Sequence, residues 1–262
     1  MPSAEVDGAP ATPEQLLAAM SSYGHFTAMQ VRDGRVRGLD LHLRRLDEAT
    51  QTLFGRVLDT SMVRAHLRQA VAGRGAVSAR VLVHADALGG DFVEFDEPRI
   101  TVTTADPHEP AVRPQRMRSA RYERELPEIK HLGGFGLTHQ VRLANLAGYD
   151  DAVFVDHRGR ISEATIWNVG FYRDGTIFWP DAALLSGITL QLLGRGLHAL
   201  DIPAKTVEIP LDSAAEFESA FLINSENPGL PIASIDEATY TVDPELCDLL
   251  VRAYETNPWD EI

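Results

Sequence analysis

Cysteine is almost absent from this sequence, and long apolar runs are missing. Cys247 is the one cysteine among 262 residues, so an internal disulfide bond and a zinc site built from several thiolates are both excluded. No apolar stretch approaches the roughly 20 residues that a membrane helix needs. The opening stretch, MPSAEVDGAPATPEQ, has acidic side chains and no apolar segment, which argues against a secretory signal. We therefore expect a cytoplasmic protein that does not enter a membrane.

Basic residues are few in this sequence, and lysine is much rarer than arginine. The chain has 24 lysines and arginines against 38 acidic residues, a net charge of −14 at pH 7. Clustered basic side chains bind phosphate backbones, so the composition opposes nucleic acid as a partner. Only Lys130 and Lys205 are lysines. Most lone lysines are surface charges, but a lysine can lose its proton and attack a carbonyl carbon, which a guanidinium cannot, so Lys130 in PEIKHLGGF is a candidate nucleophile.

The remaining residues predict a mixed α and β chain. The first predicted element is a helix over ATPEQLLAAMSSYG, with Thr12 as N-cap and Gln15 completing a capping box. A tight hairpin is expected about Asp33-Gly34. Apolar spacings of three and four predict a helix over DLHLRRLDEATQTLFG with Asp40 as its N-cap. The stretches VSARVLVHAD and RITVTTA have the character of strands.

Three prolines without a helical period mark residues 106–116 as a linker between two domains. We predict a small N-terminal domain over residues 1–105 and a larger C-terminal domain over residues 117–262. The larger domain should contain helices over LTHQVRLANLAG, GITLQLLGRGLHAL and PELCDLLVRAY. It should also contain strands over DAVFVD, KTVEIPL and AFLINS.

Three further motifs carry groups that could hold a phosphorylated pyridine cofactor. Glu163, in RISEATIWN, could pair with a protonated ring nitrogen, the alternative being a glutamate on the solvated face of a strand. In LSGITLQLL, a glycine leads into a helix whose first N–H groups suit a phosphate, with the Thr189 hydroxyl as another donor. Arg45, in LHLRRLDEA, could clamp the same phosphate. Together with Lys130, these are the groups needed to hold pyridoxal 5′-phosphate.

In their order along the chain, these motifs resemble those of the class IV, or fold type IV, pyridoxal-phosphate enzymes. That family includes branched-chain and D-amino-acid aminotransferases and 4-amino-4-deoxychorismate lyase. The resemblance runs from about residue 24 to about residue 235. It implies a two-domain α+β or α/β fold, pyridoxal 5′-phosphate as cofactor, small amine and keto-acid substrates, and a homodimer whose second subunit helps to close the active site.

The resemblance also implies roles for individual residues. Lys130, in EIKHLGGF, would be the catalytic lysine that binds the cofactor as a Schiff base. Glu163 would contact the pyridine nitrogen, with Asn168 at the position of the family's asparagine. The remaining cofactor contacts would come from Arg45, Ile188, Thr189 and Ser225.

Substrate contacts follow from the same resemblance. Phe26 and Thr27 occupy substrate-facing positions, and Phe135 stands where branched-chain enzymes have a tyrosine that touches the ring hydroxyl of the cofactor. Glu226 and Asn227 lie in the turn that offers backbone donors to a substrate carboxylate in those enzymes. An ionised Glu226 that pointed inward would repel such a carboxylate.

Three functions are compatible with these motifs. The first is an aminotransferase acting on an amino acid or a primary amine through a Lys130 Schiff base. The second is a lyase similar to aminodeoxychorismate lyase, which would release pyruvate. The third is a non-catalytic binding or accessory protein, since a fold alone does not fix function. No metal is expected, because His131, His139 and His157 lack the spacing of a metal site.

Overall fold

The computed structural model describes residues 3–13, 15–16, 23–85, 97–107 and 112–262. The chain divides into two compact units. The first unit contains Met1–Glu109, Ile129–Gly134 and Pro258–Ile262. The second unit contains Pro110–Glu128 and Phe135–Asn257. No helix within the described ranges is both long and apolar enough to cross a membrane.

The division into units differs from the predicted domains in two places. The chain passes from the first unit to the second within the proline-containing stretch, residues 106–116. Two short segments of the predicted larger domain, however, lie in the first unit. One is Ile129–Gly134, which carries Lys130, and the other is Pro258–Ile262. Backbone hydrogen bonds to distant strands join both segments to the first unit, and composition does not reveal such pairing.

The first unit is built on a seven-stranded antiparallel sheet flanked by two helices. Across the sheet the strands are β16 (Trp259–Glu261), β4 (Arg35–Arg37), β3 (Gly24–Arg32), β5 (Ala76–His84), β6 (Arg99–Ala105), β1 (Ser3–Val6) and β2 (Ala9–Pro10). The helices are α1 (Leu39–Phe54) and α2 (Thr60–Val71). Apolar side chains of both helices and the central strands, such as Leu46, Leu67 and Val81, form one core.

The second unit is built on a nine-stranded mixed sheet. Its strands in order are β12 (Ala204–Val207), β11 (Thr176–Pro180), β10 (Asn168–Arg173), β13 (Ser219–Ile223), β14 (Leu230–Ile235), β7 (Gln115–Arg121), β8 (Asp151–Val155) and β9 (Ile161–Ala164), with β15 (Ala238–Thr239) beside β14. Its helices are α3 (Phe135–Leu146), α4 (Ile188–Ala199), α5 (Pro244–Glu255) and the 3₁₀ helix Leu211–Glu216. Because β9 also pairs with β10, the strands from β10 to β9 close into a ring that sets Glu163 opposite Asn168.

The short-range sequence signals agree with the structure. Thr12 N–H donates to Gln15 Oε1 at 2.9 Å, and Gln15 N–H donates to Thr12 Oγ1 at 3.3 Å, so the predicted capping box is confirmed. The predicted end of that helix lies outside the described residues. Asp33 and Gly34 have φ angles of 49° and 70° between β3 and β4. This left-handed pair is typical of the tightest hairpin turns, so the predicted hairpin is also confirmed.

Long-range contacts account for the differences. The N-terminal helix is not the first element, because the hairpin of β1 and β2 precedes it. Asp40 is not the N-cap of α1, which begins at Leu39 after Gly38 and has Asp40 within its first turn. The cap is Asp260 on β16, whose Oδ2 accepts the Leu39 N–H at 3.0 Å across a separation of 221 positions. Rules of helix-cap spacing cannot find an acceptor so far away in sequence.

We predict that Asp260→Ala lowers the free energy of unfolding by about 1 kcal/mol, because it removes a charged acceptor from the N-terminus of α1. Denaturant unfolding followed by circular dichroism measures this change. Glu261→Ala is the matched control, since it removes an exposed carboxylate on the same strand but keeps the carbonyl that accepts from Arg64. Equal losses in the two variants would contradict the capping role.

Candidate active site

Lys130 lies in the first unit, on a short segment that pairs with the start of β3. Phe26 N–H donates to Lys130 O at 2.9 Å, and Leu132 N–H donates to Gly24 O at 2.8 Å. The Lys130 Nζ atom lies 4.9 Å from the centre of the Phe26 ring, within the range of a cation–π contact. β3 therefore holds this lysine through both its backbone and its side chain.

Arg45 lies in the middle of α1 and reaches β3. Its Nη2 donates to Thr27 Oγ1, which lies 2.6 Å from His42 Nδ1. Its Nε is buried and has no hydrogen-bond partner among the residues that the structure describes. Burial lowers the pKa of the guanidinium to about 10, so Arg45 is still a cation at neutral pH. A buried cation with an unused donor is a suitable contact for an anion.

Two histidines near Arg45 are neutral at physiological pH. His25 Nε2 lies 3.0 Å from Thr50 Oγ1, and both residues are buried. Burial, with a smaller contribution from the charge of Arg45, lowers the pKa of His25 to about 3. The same two causes hold the pKa of His42 well below its usual value. The positive charge of this group therefore resides on the arginine.

Glu163 is a buried carboxylate on β9 of the second unit. Its Oε1 accepts from Arg124 Nη1 at 3.2 Å, and its Oε2 accepts from Leu185 N–H at 3.1 Å. The Glu163 and Arg124 side chains are 7% and 6% exposed. The alternative of a glutamate on a solvated strand face is therefore wrong. A carboxylate has about four acceptor sites, so one side chain can hold several donors at once.

Asn168 and Gly187 fix the loop that leads into α4. Asn168 Nδ2 donates to Leu185 O at 2.8 Å, while Leu185 N–H is held by Glu163. Two side chains from paired positions of β9 and β10 thus bind both backbone groups of one loop residue. A Cβ atom at Gly187 would lie 2.2 Å from Asn168 Oδ1, so the close approach of loop and side chain requires glycine.

Asp151 on β8 supports the turn between β9 and β10. Its Oδ1 accepts from Thr165 Oγ1 at 2.6 Å and from Ala152 N–H at 2.7 Å. Burial raises the pKa of Asp151, and hydrogen bonds from Thr165, Ala152 and Trp167 partly oppose this effect. A buried carboxylate on the neighbouring strand therefore holds the turn that follows Glu163.

The first turn of α4 packs against the loop after β13. Thr189 Oγ1 donates to Asn224 O at 2.8 Å. Asn224 Oδ1 accepts from the N–H groups of Glu226 at 2.9 Å and Asn227 at 3.0 Å. The first N–H groups of a helix have no partner within it, so those of Ile188 and Thr189 remain suited to an external acceptor. The Thr189 hydroxyl, by contrast, is engaged by the loop.

The structure brings several of the predicted site residues into contact with one another, or with the same loops, within each unit. In the first unit, Phe26 contacts Lys130 and Thr27 contacts Arg45. In the second, hydrogen bonds from Glu163 and Asn168 hold the loop before α4, and the half-buried Ser225 lies in the loop after β13. The individual roles of these residues towards cofactor and substrate stay predictions.

Three of the predicted substrate contacts in the second unit differ in exposure. Phe135 begins α3 and is 84% exposed, with its ring stacked on His139 at 5.8 Å between centroids. Glu226 is half-buried. Asn227 is buried, and its Oδ1 accepts the Gly229 N–H at 2.9 Å. The Asn227 side chain therefore stabilises the turn in which it lies, and its contact with a substrate stays a prediction.

Sequence reasoning did not identify Arg124, Asp151 and Asn224 as parts of the site. Arg124 lies shortly before Lys130 in RYERELPEIK, but no spacing rule separates a buried arginine from its exposed neighbours. Asn224 precedes a Ser-Glu-Asn turn, and asparagine commonly binds the backbone two residues on, so turn chemistry could have found it. Within the described part of the chain, no three histidine, cysteine or acidic side chains gather as a metal site.

We predict that Arg124→Met lowers the free energy of unfolding by about 3–5 kcal/mol, because it leaves the buried Glu163 carboxylate without its cation. Denaturant unfolding measures the loss. Arg56→Met is the matched control, since it breaks the exposed pair of Arg56 with Glu97, whose side chains are 43% and 80% exposed. The control should lose less than about 1 kcal/mol. A comparable loss in both variants would refute the importance of the buried pair.

Two glycines of the α4 region should respond in opposite directions to alanine. Gly187→Ala should lower the melting temperature, because its Cβ would displace Asn168 from Leu185. Gly194→Ala, within the same helix, meets nothing within 4 Å and should raise stability by about 0.5–1 kcal/mol. Calorimetry of both variants measures the difference. Stabilisation by both substitutions would show that the loop adapts to a larger residue.

Comparison with known proteins gives a family and related sequences. The model of the amino-transferase class IV family matches residues 24–235. The "Probable branched-chain-amino-acid aminotransferase" of Rickettsia felis is 30% identical over 115 residues. That alignment covers 42% of this chain and 40% of the relative, so the chain matches less than half of the relative's length.

Solved structures resemble the chain over nearly its whole length. A "Putative 4-amino-4-deoxychorismate lyase" of Legionella pneumophila has a TM-score of 0.82 at 17% identity, with 90% of this chain and 92% of that chain covered. The PLP-bound form of a hypothetical aminotransferase of Mycobacterium tuberculosis has a TM-score of 0.81 at 18% identity, with 98% of each chain covered. At these identities the likeness establishes the fold, which confirms the predicted fold type IV architecture. Since the family model also matches most of the sequence, the chain belongs to the class IV amino-transferase family.

Proposed function

We propose that the protein is a pyridoxal-phosphate-dependent class IV aminotransferase that acts on an amino acid or a primary amine. The observation that carries the proposal is the environment of Glu163. Its carboxylate is buried and is bound by the cation Arg124 and by the Leu185 N–H, at the position of the glutamate in the family motif. Burying a carboxylate is costly unless it is held by donors, and the place of Glu163 in the family motif supports the pyridine nitrogen of the cofactor as one of them.

The residues of this chain fit the cofactor. The buried Nε of Arg45 lacks a partner among the described residues, which suits a phosphate oxygen. The N–H groups of Ile188 and Thr189 begin α4 behind a glycine that admits no side chain, and such helix N-termini bind anions. Ser225 adds a hydroxyl from the loop after β13. The family resemblance implies a phosphate contact for each of these residues, and the surroundings of each within its own unit are compatible with that role.

Each polar residue then has a chemical task. Bound pyridoxal phosphate withdraws electrons from the substrate carbon next to the amine. Lys130 would hold the cofactor through its side-chain amine, and the same amine would act as the general base for the proton of that substrate carbon. Glu163 would keep a proton on the ring nitrogen, and Arg124, which pairs with Glu163, would favour the ionised form that this task needs.

A lyase that releases pyruvate is the second candidate, and the loop after β13 is relevant because it opposes an ordinary branched-chain substrate. In branched-chain enzymes, which this sequence resembles, the corresponding turn offers backbone donors to a substrate carboxylate. Here the N–H groups of Glu226 and Asn227 are both engaged by Asn224 Oδ1. A substrate carboxylate would have to compete with that side chain, so an ordinary branched-chain amino acid is a poor fit.

Assembly and location complete the proposal. We infer a homodimer and a cytoplasmic location, both from the family resemblance and the composition of the sequence. Analytical ultracentrifugation tests the first inference. A monomer with full activity would refute it.

The wild-type protein is expected to bind pyridoxal phosphate and to keep it covalently after borohydride reduction, with the label on Lys130 in a peptide mass map. Lys130→Ala should lose the label and the activity, because it removes the attaching amine. Lys205→Ala is the matched control, since Lys205 is exposed on β12, and it should behave like the wild type. A protein that takes up no cofactor would support the non-catalytic alternative instead.

Substrate assays separate the two enzymatic candidates. Turnover of an amino donor that depends on an added keto acid, followed by the absorbance of the cofactor, would support the aminotransferase and contradict the lyase. Release of pyruvate from aminodeoxychorismate without any keto acid would do the reverse.

A further inference from the structure

Thr27 connects the side chains of Arg45 and His42 in the first unit. Its Oγ1 accepts from Arg45 Nη2 and lies 2.6 Å from His42 Nδ1. Thr27 is 0% exposed and His42 is 3% exposed, so these polar atoms depend on one another rather than on bulk water. His42 and Arg45 lie about one helical turn apart on α1. Both side chains of the helix therefore contact the same hydroxyl group on β3.

The hydrogen atoms of this connection follow from donor and acceptor rules. A guanidinium only donates, so Thr27 Oγ1 accepts from Arg45. The single hydroxyl hydrogen of Thr27 then points to His42 Nδ1, the second polar atom that the structure places at hydrogen-bond distance. His42 Nδ1 consequently carries no hydrogen, and the neutral ring carries its hydrogen on Nε2. With a hydrogen on Nδ1, Thr27 Oγ1 would accept from both side chains, and its own buried hydrogen would have no acceptor among the described partners of that oxygen.

We propose that Thr27 and His42 are positioning residues that aim the Arg45 guanidinium at a phosphate group. The Thr27 oxygen fixes one N–H group of the arginine, and His42 fixes the orientation of the hydroxyl by accepting its hydrogen. The buried Nε, which has no partner among the described residues, is left for the anion. The inference rests on the proposed function, and it moves Thr27 from the substrate contacts to the support of Arg45.

The size of the expected effect follows from what a change at Thr27 would remove. Valine has nearly the shape of threonine but no hydroxyl, so the charge of Arg45 would stay in place while its orientation is released. Coulomb attraction to a phosphate depends weakly on orientation, whereas paired hydrogen bonds depend on it strongly. We therefore expect a partial loss of phosphate-dependent affinity, about 10-fold to 100-fold, the range of one hydrogen bond to a charged group.

The experiment compares the affinity of the cofactor-free protein for pyridoxal 5′-phosphate and for pyridoxal, which lacks the phosphate. Thr27→Val should weaken binding of pyridoxal 5′-phosphate by about 10-fold to 100-fold and change binding of pyridoxal by less than about 3-fold. Thr27→Ser keeps the hydroxyl and should recover the wild-type ratio. His42→Asn offers an amide oxygen near the position of Nδ1 and should recover most of it, whereas His42→Leu should resemble Thr27→Val.

Thr101→Val is the matched control. Thr101 is 1% exposed, and its Oγ1 lies 2.8 Å from His84 Nε2 within the same sheet, so it forms a buried threonine–histidine pair of the same type. Its described hydrogen bond involves no arginine. The variant should lose some stability, as any buried hydroxyl would, but keep the wild-type ratio of the two affinities.

Two results would overturn the inference. One is an equal loss of affinity for both compounds, or no loss for either, in Thr27→Val. The other comes from nitrogen NMR of the histidine-labelled protein, a readout that needs no cofactor: it should find His42 neutral with its hydrogen on Nε2, and a hydrogen on Nδ1 would contradict the assignment. Failure of the proposed function looks different, because the wild-type protein would then bind pyridoxal 5′-phosphate no better than pyridoxal.

Discussion

The buried ion pair of Arg124 and Glu163 is the interaction on which the second unit's site depends. A carboxylate removed from water needs a cation and further donors, and here Arg124 and the Leu185 N–H supply them. The second of these donors belongs to the loop before α4. The same carboxylate that suits a ring nitrogen therefore also holds the approach to the helix whose first N–H groups suit a phosphate. The Glu163 side chain therefore links the predicted contact for the ring nitrogen with the loop that leads to the predicted phosphate contact at the start of α4.

Arg45 is also a buried charge, but its described contacts are neutral side chains, whereas Arg124 pairs with a carboxylate. The described polar contact of Arg45 is neutral, a hydroxyl that also lies beside a neutral imidazole, so no contact within the described residues cancels its charge as Glu163 cancels that of Arg124. Burial has lowered its pKa only to about 10, and it therefore remains a cation. A buried cation without a counter-charge destabilises a fold until an anion binds. The contrast indicates that Arg124 serves the structure of the protein, whereas Arg45 would be neutralised by a bound anion.

The sequence was sufficient to predict two structural features whose interacting residues lie close together in the chain. The Asp33-Gly34 turn and the capping box of Thr12 and Gln15 follow from local rules, and both were found. The Asp260 cap of α1 and the pairing of Glu163 with Arg124 bridge 221 and 39 positions. No periodicity encodes such contacts. The candidate site residues came instead from the order of family motifs, which gives positions but not the partners that fix each side chain.

The two neutral histidines define how the first unit's site responds to pH. His25 has its pKa lowered to about 3 and His42 has its pKa held well below the usual value, in each case mainly by burial. Neither gains a proton as the pH falls from neutrality to moderately acidic values, whereas an exposed histidine would. The hydroxyl that Arg45 contacts consequently keeps its acceptor, and these two histidines add no charge near Arg45 across that range. Any change in cofactor affinity over that range must then originate outside these histidines, in the phosphate itself or in other titrating groups.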